Sequence, residues 1–146
     1  MDWITEHIAI GNFIDAGHLP PIIDAVLCLK EGCPCRDRVD VDTLQLPLRD
    51  GSGNLHDHII EGIRFINDFV SNRQHILVHC HAGRSRSVVM VAIYLMVKNG
   101  LNQKEALKMI AAKREIYLSD GIDDLFSFDI DSWRAILIQM DKSYDE

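Results

Sequence analysis

The sequence predicts an α/β domain with a mainly parallel central sheet of about four to five strands and helices on both faces. Three observations lead there. Apolar runs of strand length stand at 25–29 and 76–78, with an alternating run at 42–46. Longer stretches around them carry apolar residues at helical spacing. Strands and helices then alternate along the chain after an opening pair of short strands, the order that builds parallel β–α–β units. Residues 1–146 are read as one domain, long enough to bury a core of its own.

Trp3, Ile8 and Ile10 mark one or two short strands, and Gly11-Asn12 turns the chain. Ala25 to Leu29 is the next strand. Residues 30–38 form a loop by their Gly, Pro and charge content. Cys33 and Cys35, with Cys28 nearby, lack the second pair that structural zinc needs, so no metal is predicted. The strand at 42–46 ends at Pro47. The loop 48–54 holds Gly51 and Gly53 and reads as mobile. Leu55, Ile59, Ile63, Ile66 and Val70 then define an amphipathic helix, capped by Asn54 or Ser52. His56 and His58 inside it are two apart, poorly placed to share a metal. After the strand at 76–78, the apolar run 88–96 predicts a buried helix that stops at Asn99-Gly100. Asn102 and Glu105 make a capping-box-like start for the next helix. Residues 113–121 are a loop, and Ile122, Phe126, Ile130, Trp133, Leu137 and Met140 form one stripe on a last helix. The acidic tail 141–146 is expected to fray.

The chemistry concentrates in nine residues between a strand and a helix: His79, Cys80, His81, Ala82, Gly83, Arg84, Ser85, Arg86 and Ser87. The first N–H groups of a helix have no intrahelical partner and carry partial positive charge, so a turn that aims them inward is an anion site. The same field, with a guanidinium nearby, favours the thiolate of Cys80, and the thiolate is the nucleophile. Arg86 offers a planar fork that matches two phosphate oxygens. Gly83 lets the backbone fold tightly over the anion. Residues 81–86 supply the cradle, His79 holds Cys80 from behind, and Ser87 can donate to the sulfur. An inert core cysteine is the bland alternative, and a cradle that binds phosphate without turnover is another. Neither explains why a glycine, an arginine and two serines stand where a working anion site needs them.

The pattern His79-Cys80-x5-Arg86-Ser87 resembles the signature of the cysteine-dependent protein tyrosine phosphatases. Ala82-Gly83-Arg84-Ser85 before the arginine is most similar to the dual-specificity branch. The resemblance implies hydrolysis of phosphomonoesters through a phosphocysteine, with no cofactor and no metal. That reaction needs a proton for the leaving oxygen. Asp50 is the candidate acid, because it leads a loop, then a helix, then the strand into Cys80, as the acid of that family does. Asp before Gly is also a common turn former, and Asp57 is the fallback. The loop 30–38 is expected to border the cleft, where one of its thiols could pair with Cys80 on oxidation. Arg114-Glu115-Ile116 fits the loop that braces the site wall, but the usual Pro-Asn pair is replaced by Leu118-Ser119, which puts that role in doubt.

The chain is 47% hydrophobic and 25% charged, with net charge -7 and no basic run, which argues against nucleic-acid or anionic-membrane partners. No apolar run reaches membrane-spanning length and Met1-Asp2-Trp3 shows no signal-peptide pattern. With a thiolate among four cysteines, a reducing, cytoplasmic setting is predicted. The expected partner is a phosphorylated protein. No long insertion is seen to wall a deep cleft, so phosphoserine and phosphothreonine are expected beside phosphotyrosine. A phosphoinositide, favoured by the extra basic Arg84 and His81, or an RNA 5′-phosphate are alternative substrates of the same chemistry. A non-catalytic phosphate-binding adaptor is the alternative outside enzymes.

Overall fold

The computed structural model describes residues 1–32, 41–127 and 129–144, the last three of these by backbone alone. Five strands form one sheet: β1 (Asp2–Trp3), β2 (Ile8–Gly11), β3 (Ala25–Cys28), β4 (Asp42–Gln45) and β5 (Ile76–His79). Their order is β1-β2-β5-β3-β4. Only β1 runs antiparallel, against β2; β2, β5, β3 and β4 run parallel to one another. β3 and β5 lie between other strands and are buried on both faces, which is why they read as unbroken apolar runs rather than alternating ones.

The two faces are unequal. Ile8, Ile10, Ala25, Leu27, Ile76 and Val78 point into the main core. That core also contains residues of α2 (His56–Ser71), α3 (Arg86–Asn99), α4 (Gln103–Ala111) and α5 (Ile130–Tyr144). Ala9, Val26 and Leu77 point the other way, onto Ala16 and Ile23. The second face is covered by α1 (Phe13–Ala16), a single turn, and the segment after it. α3 is the central helix: every residue from Arg86 to Val97 is buried, so it carries no amphipathic stripe. A methyl group on Gly62 of α2 would meet the end of the Met90 side chain in α3.

The expected start of α4 and stop of α3 are in place, and a capping box opens α1 where the sequence announces only a turn. Asn12 and Asp15 form a capping box at α1, Asn102 and Glu105 form one at α4, and Gly100 ends α3 with φ +73°. Two expectations are corrected. α2 begins after Leu55 without any side-chain cap, because the Asn54 side chain bonds to the preceding loop instead. The last stripe is not one helix: Ile122–Ser127 is a 3₁₀ turn and α5 starts at Ile130. Asp129 causes the restart, its Oδ1 accepting from the N–H groups of Asp131 and Ser132 as an N-cap does. Cys33 and Cys35, and with them the expected redox pairing, lie outside the described residues.

β2 leads into α1 on one face, while its neighbour β5 leads into α3 on the other. Adjacent strands whose connections leave on opposite faces open a crevice at their carboxyl ends, where such sheets bind ligands. The turn 80–85 sits there.

Candidate active site

β5 ends at His79 and the chain turns through residues 80–85 before α3 begins at Arg86. Gly83, with φ +70°, makes the turn possible. A methyl group on it would lie 2.5 Å from the carbonyl oxygen of Gly11 and 2.5 Å from Nη2 of Arg114. Ser85 precedes α3 but does not cap it; its Oγ accepts from the N–H of Ser119 at 3.0 Å. The first amides of α3 therefore have no side-chain cap, as an anion site at a helix N-terminus requires.

Cys80 is 2% exposed, and its Sγ lies 3.3 Å from Oγ of Ser87. His79 is buried behind it, Nδ1 3.3 Å from the Cys80 carbonyl oxygen. Arg86 is also buried. Its Nη1 donates to the carbonyls of Leu29 (3.4 Å) and Leu48 (3.2 Å), which fixes one side of the guanidinium. Its Nε, buried too, has no partner among the described residues. That N–H is a charged donor an oxyanion in the cradle can use.

The cradle is braced from outside. The guanidinium of Arg114 donates from Nε to the Gly83 carbonyl at 2.7 Å and from Nη2 to that of Ala82 at 3.3 Å, and Nη1 pairs with Asp2 at 2.8 Å. The N–H of Tyr117 donates to the Arg84 carbonyl at 2.9 Å. Thus the loop 113–121, despite Leu118-Ser119, clasps the cradle at Ala82, Gly83, Arg84 and Ser85. On the other side the N–H of Phe13 donates to the His81 carbonyl at 3.1 Å, and their rings stack at 4.7 Å. The Arg84 side chain is half exposed and lies 3.9 Å from Glu115.

A cleft of about 360 Å³ opens over the turn. Asp50 lines it together with Cys80, His81, Ala82, Arg84, Ser85 and Arg86, and Tyr117 and Ser119 complete the wall. The structure brings Asp50 to the same cleft as Cys80; Asp57 lies in the first turn of α2 and is not among the lining residues. Gly83 shapes the backbone beneath, and Ser87 and His79 stand behind the sulfur. Three residues were not legible as site residues. Arg114 and Tyr117 reach the cradle from more than 30 positions away, and only the Arg-Glu-Ile resemblance pointed to their loop. Asn54 holds the loop that carries Asp50. Among the described residues no group of three metal-ligating side chains comes together.

A model of the family "Dual specificity phosphatase, catalytic domain" matches residues 21–122. Dual specificity protein phosphatase 15 from Homo sapiens is 35% identical over 118 residues, covering 77% of this chain and 40% of the relative. Dual specificity protein phosphatase 22 from Homo sapiens is 32% identical over 126 residues, covering 78% of this chain and 64% of the relative. The chain therefore spans between two fifths and two thirds of the length of these curated relatives. The crystal structure of DUSP15 superposes with a TM-score of 0.80 at 26% identity, covering 94% of each chain.

Proposed function

The chain belongs to the dual-specificity phosphatase family, and on that premise we propose that it hydrolyses phosphotyrosine, and phosphoserine and phosphothreonine as well, on protein substrates. The observation that carries the reading is the cradle itself. A buried cysteine opens the turn into a helix whose first amides have no side-chain cap, and the same cleft is lined by a buried arginine whose Nε has no partner among the described residues. An oxyanion can accept from all of these donors at once.

The reaction runs in two steps. The Cys80 thiolate attacks phosphorus while the ester P–O bond breaks, and Asp50 gives its proton to the leaving oxygen. The phosphocysteine is then attacked by water, whose proton passes to the Asp50 carboxylate, and the S–P bond breaks to release phosphate. Ser87, within reach of the sulfur, stabilises the departing thiolate. Arg86 and the amides of residues 81–86 hold the equatorial oxygens in both steps, where charge must be stabilised in the transition state. A reducing compartment suits this thiolate. No helix among the described residues is long and apolar enough to cross a membrane.

The lipid alternative leaned on Arg84, but Glu115 lies 3.9 Å from its guanidinium and offsets part of its charge. The test is phosphate release from a phosphotyrosine peptide, a phosphothreonine peptide, a phosphoinositide and a 5′-triphosphate RNA, with Cys80→Ser as the blank. Turnover of peptides that vanishes in the blank is expected. Turnover of lipid or RNA alone would keep the chemistry and overturn the substrate class. Binding of phosphopeptide without any turnover would make the protein an adaptor.

A further inference from the structure

We propose that Asn54 is the positioning residue for the general acid; this rests on the reading of Asp50 above. A side-chain amide has an acceptor oxygen beside its donor hydrogens, so it can pair with both backbone groups of one residue, as a neighbouring strand does. Asn54 uses it in that way. Its Oδ1 accepts from the N–H of Arg49 at 2.7 Å, and its Nδ2 donates to the carbonyl of Arg49 at 2.8 Å. The same Nδ2 reaches the carbonyl of Gly51 at 3.2 Å. One side chain therefore grips the residue before Asp50 on both of its backbone groups and the residue after Asp50 on its carbonyl. The Asp50 carboxyl group is not among these partners, and Asp50 is one of the residues that line the cleft.

The rest of the loop is fastened to match. Arg86 donates from Nη1 to the Leu48 carbonyl at 3.2 Å, so the residue that would hold the phosphate also holds the base of the acid loop. At the far end Gly53, with φ +85°, turns its N–H to Oδ2 of Asp124 at 3.0 Å. A loop with glycines at 51 and 53 has wide conformational freedom unless it is tied, and a misplacement of about 1 Å at a reacting group can cost about 100-fold in rate. Asn54 removes that freedom where the chain carries the proton. Its side chain is thereby withheld from α2, which begins at Leu55 with no side-chain cap.

A positioning role differs from a merely structural one in which substrates suffer. Proton donation matters most when the leaving oxygen is basic, and least when the leaving group departs well as an anion. Asn54→Ala and Asp50→Asn, alone and combined, are assayed on phenyl phosphate and on p-nitrophenyl phosphate, with thermal melting of each variant. Asp50→Asn is expected to lose at least about 100-fold on phenyl phosphate and far less on the nitrophenyl ester. Asn54→Ala is expected to show the same split at about 10-fold, and to add less than about twofold to Asp50→Asn, since the two act through one proton. Asn54→Asp has the same shape, keeps the acceptor and loses both donors; its split decides the question if the alanine variant does not melt cooperatively. Equal loss on both esters, or no loss on either, while Asp50→Asn keeps its split, overturns the assignment to Asn54. If Asp50→Asn shows no split, Asp50 is not the acid and the assignment to Asn54 falls with it.

Discussion

Gly83 illustrates how little tolerance the cradle has at the scale of one residue. Its φ of +70° costs an ordinary residue about 1–2 kcal/mol, and its missing methyl group leaves room for the backbone of Gly11 in β2. A strand backbone cannot swing aside as a side-chain tip can. Gly83→Ala is therefore expected to weaken binding of vanadate, a phosphate-like oxyanion, by at least about tenfold, given that strain. Isothermal titration on the purified variant measures it, and parent-like affinity would show that the turn does not need a glycine. Cys80, Gly83, Arg86 and Ser87 were legible in the sequence because they are contiguous: the turn brings its own ligands. Asn54 was misread for a physical reason. An asparagine before a helix can accept from the helix amides or from the preceding loop with equal chemistry, and the choice is settled by where the loop 48–54 runs.

Among the elements, the loop 113–121 departs furthest from what its residues announced. Leu118-Ser119 cast doubt on its bracing role, yet the loop bonds to Ala82, Gly83, Arg84 and Ser85. Most of that bracing uses backbone amides and one guanidinium, so the identity of residues 118 and 119 matters little. Arg114 is the exception, since its two carbonyl clasps turn the Ala82 and Gly83 oxygens outward. Hydrogen bonds to a charged group contribute about 1.5–3 kcal/mol, so Arg114→Met is expected to raise the vanadate inhibition constant about tenfold. Inhibition that matches the parent would mean the cradle holds its shape unaided. Local signals predicted the capping box at Asn102, because it is complete within four residues; the one at Asn12 has the same span, but Gly11-Asn12 reads first as a turn. Asp129 marks the break before α5, but the apolar stripe that continues from Ile122 to Met140 masks the restart in the sequence.

Across the whole molecule, the unequal faces leave one large core, and α5 closes it on the side away from the sheet. Alternation of elements predicted layers on both faces; it carried no measure of their thickness, which follows from α1 being a single turn. What fastens α5 to the core is partly ionic. Asp141 accepts from Lys98 of α3 at 2.5 Å and from Asn67 and Ser71 of α2 at 3.0 and 3.3 Å. Buried Asn67 in turn accepts from Tyr94 of α3 at 3.1 Å. Burial alone would raise the Asp141 carboxyl, but these hydrogen bonds and the Lys98 charge outweigh it and hold it below its ordinary value of 3.8. The folded carboxyl thus gives up its proton at lower pH than the unfolded one. Its contribution to stability is complete above about 3.8 and is lost as the pH falls through that value towards the folded one. Asp141 is 37% exposed, so solvent screening limits the contribution to at most about 1 kcal/mol. Asp141→Asn keeps an acceptor for Asn67 and Ser71, removes the charge and puts a donor where Oδ2 accepted from Lys98. At pH 7 it is expected to melt about 2–4 °C below the parent, and near pH 3 the two melting temperatures are expected to converge. A gap that stays constant from pH 7 to pH 3 would assign the tie to packing of α5, with the ion pair contributing nothing.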